Sequence, residues 1–570
     1  MTHNTEFDNP GPMGYLRAST FATKEAPVRA FRTPALFLAA GLIAVLSHCS
    51  DGATTRALYS IHPDDMRFPL EFLGSPEFRG RSTPSPELDI ASEYIAMTAE
   101  RIGLKPLMPG GSYLQEVPVE VTTVVPSASH LRLAGASGER TFAFPDDVTV
   151  GRAFEAGRVK GGVVFLGLGV SAPDLGWDDL KGADLKGRVA VVLDATLNGE
   201  HPLKPAENRR LFTGRAGTLR ERGAAAVVMI INEEREARLA KTGLPFDLPE
   251  RLRFPDVITG MGPGPGGAPP RPATGFLQVE VRHDAGAAIL GCGRDELARM
   301  FESVRLGKPV AAKTLAGRTL EVEIGATTRK KRSFNVVAWL EGADPVLKGE
   351  YLTISSHHDH NPPREGRVFP GADDNISGVV GMFEIAEALM IARPKRSVIF
   401  VWNTAEERGL VGSYYFVQHC PVPVEKISAN LNLDMISRNR TDHLFLIGSN
   451  KLSSELDASI KAMNEPPGPR LTLDYVYESP GHPDRFFFRS DQYPYIRYGI
   501  PGVWFFCGTT DDYHQEGDVA AKADFAKMEK VSELVFLVAR DIADKPALLA
   551  LDLHPEVKTR GPENMKVLWR

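Results

Sequence analysis

Cysteine is scarce: four residues in a chain of 570, at positions 49, 292, 420 and 507. None of these thiols has a close-spaced partner, so neither a disulfide-built scaffold nor a cysteine-held zinc or redox motif is encoded. Export would permit one disulfide among Cys292, Cys420 and Cys507, and buried free thiols are the competing expectation. A membrane-spanning run is also missing near the N-terminus, where the apolar stretch Pro34–Leu46 has thirteen residues against the roughly 20 that a spanning helix needs. Positive charge is in deficit, 66 Lys and Arg against 72 Asp and Glu for a net charge of −6, which leaves no basic field to attract nucleic acid or anionic lipid. The single basic run, Arg329–Arg332, has no aromatic residues interleaved and is expected to be a solvated connector. Internal repeats are lacking as well. What remains is ordinary globular composition, 43% hydrophobic and 24% charged, in a chain long enough for two or three domains.

Residues 1–50 have a texture of their own. Lys24, Arg29 and Arg32 precede Pro34–Leu46, and Leu46-Ser47-His48-Cys49 follows, the order of a signal peptide. The end of this leader resembles a bacterial lipoprotein signal, in which the cysteine is lipidated. His48 stands where such signals prefer a small residue. The expectation is an extracytoplasmic protein, periplasmic or at the cell surface, with membrane attachment through a lipidated Cys49 or an uncleaved leader.

Beyond the leader, residues 51–116 form a helical segment: Ile61–Leu73 and Asp89–Ile102 have helical apolar spacing, and Gly103 is placed to close the second helix. Residues 117–326 change to short β-rich runs such as Val163–Leu166, Val189–Leu193 and Ala226–Ile231, broken by glycine-rich turns. Within them Gly260–Pro272 is almost entirely Gly and Pro and predicts a surface loop. This stretch reads as an insertion. Residues 327–550 alternate strands (Val336–Leu340, Tyr351–Ser355, Val398–Trp402, Leu431–Leu433, Val503–Phe506) with helices (Gly378–Ile391, Ala523–Ile542), and 551–570 form a tail. The alternation predicts an α/β/α sandwich around a mixed, mostly parallel sheet, with ligand groups at the carboxyl ends of its strands.

Chemistry-bearing residues fall at those ends. His357-His358-Asp359-His360 follows one strand, Gly371–Asn375 precedes the helix, Ala405-Glu406-Glu407 and Asp434 follow two further strands, and Tyr513-His514 lies beyond the last. Singly, each has a plain explanation: Asp374-Asn375 as a helix cap, Glu406-Glu407 as a helix start, His514 as a surface histidine. Five such clusters on one rim need a common cause. Imidazole and carboxylate are the zinc ligands of hydrolytic sites, and two ions can be held when one carboxylate bridges and each ion has its own His and carboxylate. Two histidines and three carboxylates fill that scheme.

The motifs His357-His358-Asp359, Gly371–Gly378, Ala405–Ser413, Leu433-Asp434-Met435 and Tyr513-His514 resemble those of the co-catalytic zinc aminopeptidase family, which includes bacterial leucine and Streptomyces-type aminopeptidases. The resemblance spans about Asn335 to Ile542 and implies a zinc exopeptidase fold with two Zn2+ per chain. It implies His357 on one zinc, Asp374 as the bridge, Glu407 and Asp434 as terminal carboxylates, His514 on the other zinc and Glu406 as general base. By the same resemblance Tyr513 donates to the oxyanion and Asp374-Asn375 carries a cis peptide. Asp359, two residues from His357, is expected to accept the second ring N–H of that histidine. The chain departs from the family at Ser490-Asp491-Gln492, where a histidine often stands third. The insertion resembles a protease-associated domain. Peptides are the expected substrates. A carboxypeptidase on the same scaffold would need a cationic pocket, for which Arg485, Arg489 and Arg497 are candidates; a receptor-like member would have lost ligands, and the related one-zinc cyclases lack the insertion.

Overall fold

The computed structural model describes residues 52–136, 138–203, 209–259 and 276–568. The leader with Cys49 and the Gly260–Pro272 segment lie outside these residues. Among the described residues no helix is long and apolar enough to cross a membrane.

Ten strands make the larger sheet, and its centre is parallel: Ser397–Asn403, Tyr351–His357, Ile427–Leu433 and Gly502–Phe506 lie side by side in that order. The flanks are antiparallel. Ala326–Leu340 pairs with Ser397–Asn403 on one side, and His443–Ile447 pairs with Gly502–Phe506 on the other. The sheet is therefore mixed, with parallel pairing concentrated where crossover helices cover both faces. Alternate residues of one strand feed opposite cores: Val398, Phe400 and Trp402 join the cluster under the long helices, while Ile399 and Val401 face Phe416, Val417 and Tyr495. The helix Gly378–Ile391 is buried on nearly all sides, as its almost unbroken apolar sequence requires. The closing helix Phe525–Asp544 packs against it.

Leu114–Val124 belongs to this sheet too, running antiparallel to Ala326–Leu340 from Ala326↔Val124 to Val336↔Leu114. Both ends of the expected insertion are thus strands of the first sheet, and Arg329–Arg332 lies exposed within a β-ribbon rather than in a connector. Between these strands the chain builds a second, eight-stranded sheet with its own core. Its middle strands, Gly157–Phe165, Val189–Leu193, Ala226–Ile230 and Leu277–Val281, are parallel, and helices Glu233–Thr242, His283–Leu290 and Arg294–Arg305 accompany them. The segment is α/β in character, where sequence texture alone predicts mainly strands: its helices are short and polar on one face. Cys292, Cys420 and Cys507 are all free thiols.

The N-terminal helices Pro63–Leu73 and Pro86–Ile102 cap one face of the larger sheet, and Gly103 closes the second in the left-handed conformation (φ 99°). The strap between them is held by Arg81. Its buried guanidinium donates to the carbonyls of His358 (2.9 Å), Leu73 (2.7 Å), Pro370 (2.8 Å) and Gly371 (2.9 Å). One side chain thereby ties the strap to both loops that carry the candidate ligands, and it satisfies four otherwise orphaned carbonyls. Arg79, Gly80 and Arg81 all have positive φ, and a Cβ on Gly80 would overlap the carbonyl oxygens of Asn361 and Phe369. Only glycine permits so close a crossing.

Glu384, inside the central helix, is 3% exposed and accepts the His62 N–H at 3.0 Å. Burial, with Glu387 and Asp65 nearby, pushes its carboxyl up to about 8 from 4.5. Between those values the unfolded chain has released the proton and the folded chain retains it, so this group's contribution makes stability fall as pH rises through that window. Glu384→Gln is expected to flatten the fall and to raise stability at pH 9 by on the order of 2 kcal/mol. Urea-unfolding midpoints at pH 5 and pH 9 measure it; an unchanged pH slope in the variant refutes the assignment.

Candidate metal centre

The parallel register sets the site. His357 pairs with Asn403 at one strand end and Leu433 with Phe505 at another, so residues just past these ends share the carboxyl rim of the sheet. His357 is the last residue of its strand. Glu406-Glu407 form a single 3-10 turn three residues beyond Asn403, entered through a left-handed Ala405. Asp374 lies at the start of the central helix, and its peptide bond to Asn375 is cis.

Two groups of donors result. In one, His357 Nε2 lies 3.3 Å from Asp374 Oδ1 and 3.4 Å from Asp434 Oδ1, with Glu406 alongside. In the other, His514 Nε2 lies 3.0 Å from both Asp374 Oδ2 and Glu407 Oε1. Asp374 therefore turns one oxygen to each group. All the expected residues, His357, Asp374, Glu406, Glu407, Asp434, Tyr513 and His514, converge here.

His360 belongs with them and sequence reasoning passed it over. Its Nδ1 is 2.9 Å from Glu407 Oε1 and 3.8 Å from Asp374 Oδ2, so His360, Asp374, Glu407 and His514 form one cluster. Both ring nitrogens of this fully buried histidine have no hydrogen-bond partner among the described residues. The nitrogen and the carboxylate oxygen are close without the orientation of a hydrogen bond, which is how two donors lie when both face a shared cation. The residues thus fit a metal centre of nitrogen and oxygen ligands. The signal was present in the sequence: of His357, His358 and His360, two residues three apart beyond a strand end were available, and only the tertiary turn distinguishes them. His358 points away, its Nε2 2.8 Å from Ser92 Oγ, and burial pushes it down to about 3.

The protonation pattern reflects the density of carboxylates. Burial alone would lower the imidazoliums, yet Asp434 and Glu406 hold His357 well above its ordinary value, and Asp374 with Glu407 raise His514 to about 10. Glu407 is held down at about 2 because His360 and His514 outweigh its burial. Glu406 is pushed well above the carboxylate range by burial and by Glu407, Asp434 and Asp491. His357 and His514 here supply countercharge to the carboxylates.

The surroundings fix these side chains. Asp359 accepts the Glu406 N–H at 3.0 Å and the Thr83 hydroxyl at 3.1 Å, and Thr83 accepts the Ala405 N–H at 3.1 Å. The expected bond from His357 to the Asp359 carboxylate is replaced: Nδ1 lies 3.1 Å from the Asp359 backbone oxygen and 3.9 Å from the carboxylate. The two-residue spacing brings the carbonyl, not the side chain, under the ring. Asp359 instead positions Glu406. Asp518 accepts the N–H groups of Asp373 and Asp374, both at 3.0 Å, and Ser490 donates to Asp434. Tyr513 accepts from Arg489 Nη2 at 2.9 Å, and burial raises its hydroxyl, which keeps its proton. The other arginines considered for a substrate carboxylate are engaged elsewhere: Arg497 donates to the Met565 carbonyl, and Arg485 lies over Phe488. Gln492 is buried in a short helix and donates to the Phe487 carbonyl at 3.2 Å, outside the centre.

A recess beside His357 and Asp434 is walled by Met435, Phe486, Trp504 and Phe506. Thr83 and Arg408 line a separate, larger cavity.

A parallel-centred α/β sheet gathers histidines and carboxylates on its carboxyl rim into two adjoining groups that could each hold a metal ion. Residues 335–539 match the family model of Peptidase family M28. Among curated proteins the chain is similar to leucine aminopeptidase 2 of Arthroderma otae, 28% identical over 35% of this chain and 39% of that protein. It is also similar to a probable leucine aminopeptidase 2 of Aspergillus oryzae, 30% identical over 33% of this chain and 36% of that protein. The match thus spans a little over a third of the length of these relatives. In fold the chain is similar to an aminopeptidase from Aneurinibacillus sp. strain AM-1, with a TM-score of 0.51, 20% identity and coverage of 88% of this chain and 98% of that one. A zinc aminopeptidase from Bacillus subtilis gives a TM-score of 0.51 at 18% identity, covering 87% and 99%.

Proposed function

We propose that this chain is an exported aminopeptidase that binds two zinc ions and removes N-terminal residues from peptides. The observation that carries the reading is Asp374, one carboxylate placed between two groups of nitrogen and oxygen donors. His357 and Asp434 would hold one zinc; His514, Glu407 and His360 would hold the other. When bound there, the pair of ions supplies Lewis acidity and makes water a nucleophile near neutral pH.

The chain's own residues do the rest. Glu406, raised in proton affinity by burial and by the neighbouring carboxylates, takes the proton of the attacking water and returns it to the leaving amine. Its backbone is fixed by the Asp359 carboxylate, so the base approaches from one direction. Tyr513, protonated and steadied by Arg489, donates to the oxyanion that develops on the scissile carbonyl. We read the second sheet as a protease-associated-like domain. Export rests on the leader's charge and apolar pattern, with Cys49 as a lipidation site.

The test is a hydrolysis profile on one peptide in three forms: free, N-acetylated and C-amidated. Cleavage lost on acetylation and kept on amidation, with the N-terminal residue as product, is the expected result. Cleavage lost only on amidation, with release of the C-terminal residue, overturns the aminopeptidase reading.

A further inference from the structure

A cavity of about 480 Å³ is lined by residues of both sheets. It adjoins the His360 and Glu407 group through chain continuity. Arg408 follows Glu407 on the same turn, Arg364 lies four residues after His360, and the lining Thr83 hydroxyl donates to Asp359. Arg152 comes from the second lobe and feels the Glu407 carboxylate.

The charges in this cavity are unequally matched. Arg235 is paired with Glu280 at 2.5 Å and with Glu365 at 2.7 Å, and Asp247 accepts the Glu365 N–H. Arg152, Arg364 and Arg408 have no carboxylate partner among the described residues, and the Arg408 Nε is buried without any hydrogen bond. They are mutually close: Arg364 and Arg408 both add to the partial desolvation that lowers Arg152. Carboxylates act on them from nearby, Glu407 on Arg152, Glu365 near Arg364 and Asp359 near Arg408, yet none of the three makes an ion pair among the described residues, so their guanidinium groups can pair with an added anion. The described lining carries Arg152, Arg235, Arg364 and Arg408 against Asp247, Glu250 and Glu280, so an excess of one positive charge remains.

We propose that Arg152, Arg364 and Arg408 form a carboxylate subsite that receives the far end of a short peptide, so that the substrates are peptides whose free C-terminus lies within a few residues of the scissile bond. The inference rests on the aminopeptidase reading. It follows from placement: Arg408 is the neighbour of Glu407 on one turn and Arg364 comes from the loop that carries His360, so a peptide whose scissile bond lies at the centre has this cavity within reach of its next residues. A guanidinium cluster matches a carboxylate in charge and in its paired oxygens. Because Arg152 belongs to the second lobe, that lobe contributes to substrate selection directly.

The experiment uses the zinc-loaded full-length enzyme and the tripeptide Leu-Gly-Gly as free acid and as amide, with the product identified. The expected result is release of N-terminal leucine with kcat/KM for the acid about tenfold or more above the amide. The double variant Arg152→Gln/Arg364→Gln, in which both replaced side chains are exposed, should bring that ratio close to one, chiefly through KM. A third substrate, Leu-Gly-Glu-amide, separates a terminal carboxylate from an acidic side chain: recovery of the rate assigns the subsite to carboxylates of either source, and no recovery restricts it to the C-terminus. Equal cleavage of acid and amide by the wild type, or an acid preference that survives in the double variant, overturns the subsite while leaving the aminopeptidase reading intact. Absence of leucine release from every substrate defeats that reading and the subsite with it.

Discussion

Glu406→Gln is expected to lower kcat by about 10³-fold or more while the metal content stays that of the wild type, because the substitution keeps the shape of the side chain and removes its basicity. Glu406 stands next to His357 and Asp434 in the first donor group, so two roles compete for it, ligand and base. They separate cleanly. Loss of a ligand would lower zinc content and activity together; loss of a base lowers activity alone. Its main-chain N–H is held by Asp359 at 3.0 Å, which fixes its direction whether or not the carboxylate is charged, and supports folding of the variant. Metal analysis beside steady-state kinetics makes the measurement. A variant that keeps wild-type turnover removes Glu406 from the mechanism, and one that loses an equivalent of zinc makes it a ligand.

Asp374→Asn should be more damaging still, because it alters both halves of the centre. One Asp374 oxygen lies 3.3 Å from His357 and the other 3.0 Å from His514, and an amide cannot present two anionic oxygens. Zinc content is expected to fall from two ions per chain to one or fewer, and peptide hydrolysis to fall to background. His360→Ala is the informative comparison. His360 lies only on the Glu407 side, so its removal should weaken one ion by about 10–100-fold and leave the other in place. Competition with a chelator, followed by zinc analysis, reads both. Two tightly held ions in Asp374→Asn would refute the bridging role, and equal loss of both ions in His360→Ala would refute its assignment to one side.

Much of this centre was legible because each ligand sits where a strand stops. Short apolar runs such as Val398–Trp402 and Leu431–Leu433 mark strands by themselves, and the first polar residues beyond them must lie on the rim if the strands are parallel. Helix Gly378–Ile391 follows from its apolar continuity and the glycine at its start. The fold around the centre was less legible. Strand Leu114–Val124 lies more than 200 residues from its partner Ala326–Leu340, and its pairing follows from contacts that no local pattern encodes. Helices of the second lobe such as Glu233–Thr242 bury few residues, so their apolar signal is weak.

The assignments made for individual histidines and aspartates show the same division. Residue type and position marked the clusters at the strand ends and before the helix as donors, and the family resemblance singled out His357, Asp374, Glu407, Asp434 and His514 among them. Direction was another matter. His358 and His360 are one and three residues past His357, and only the turn of the loop, tied down by Arg81, sends the first into a cleft against Ser92 and the second to the centre. Asp359 likewise supports Glu406 rather than His357. The sequence alone thus determined which chemistry the chain carries and on which rim of the sheet, because strand periodicity and residue type are local properties. The tertiary structure decided which side chain faces which, and brought Arg152, Arg364 and Arg408 together from segments far apart in the chain, because convergence in space depends on the packing of the whole fold.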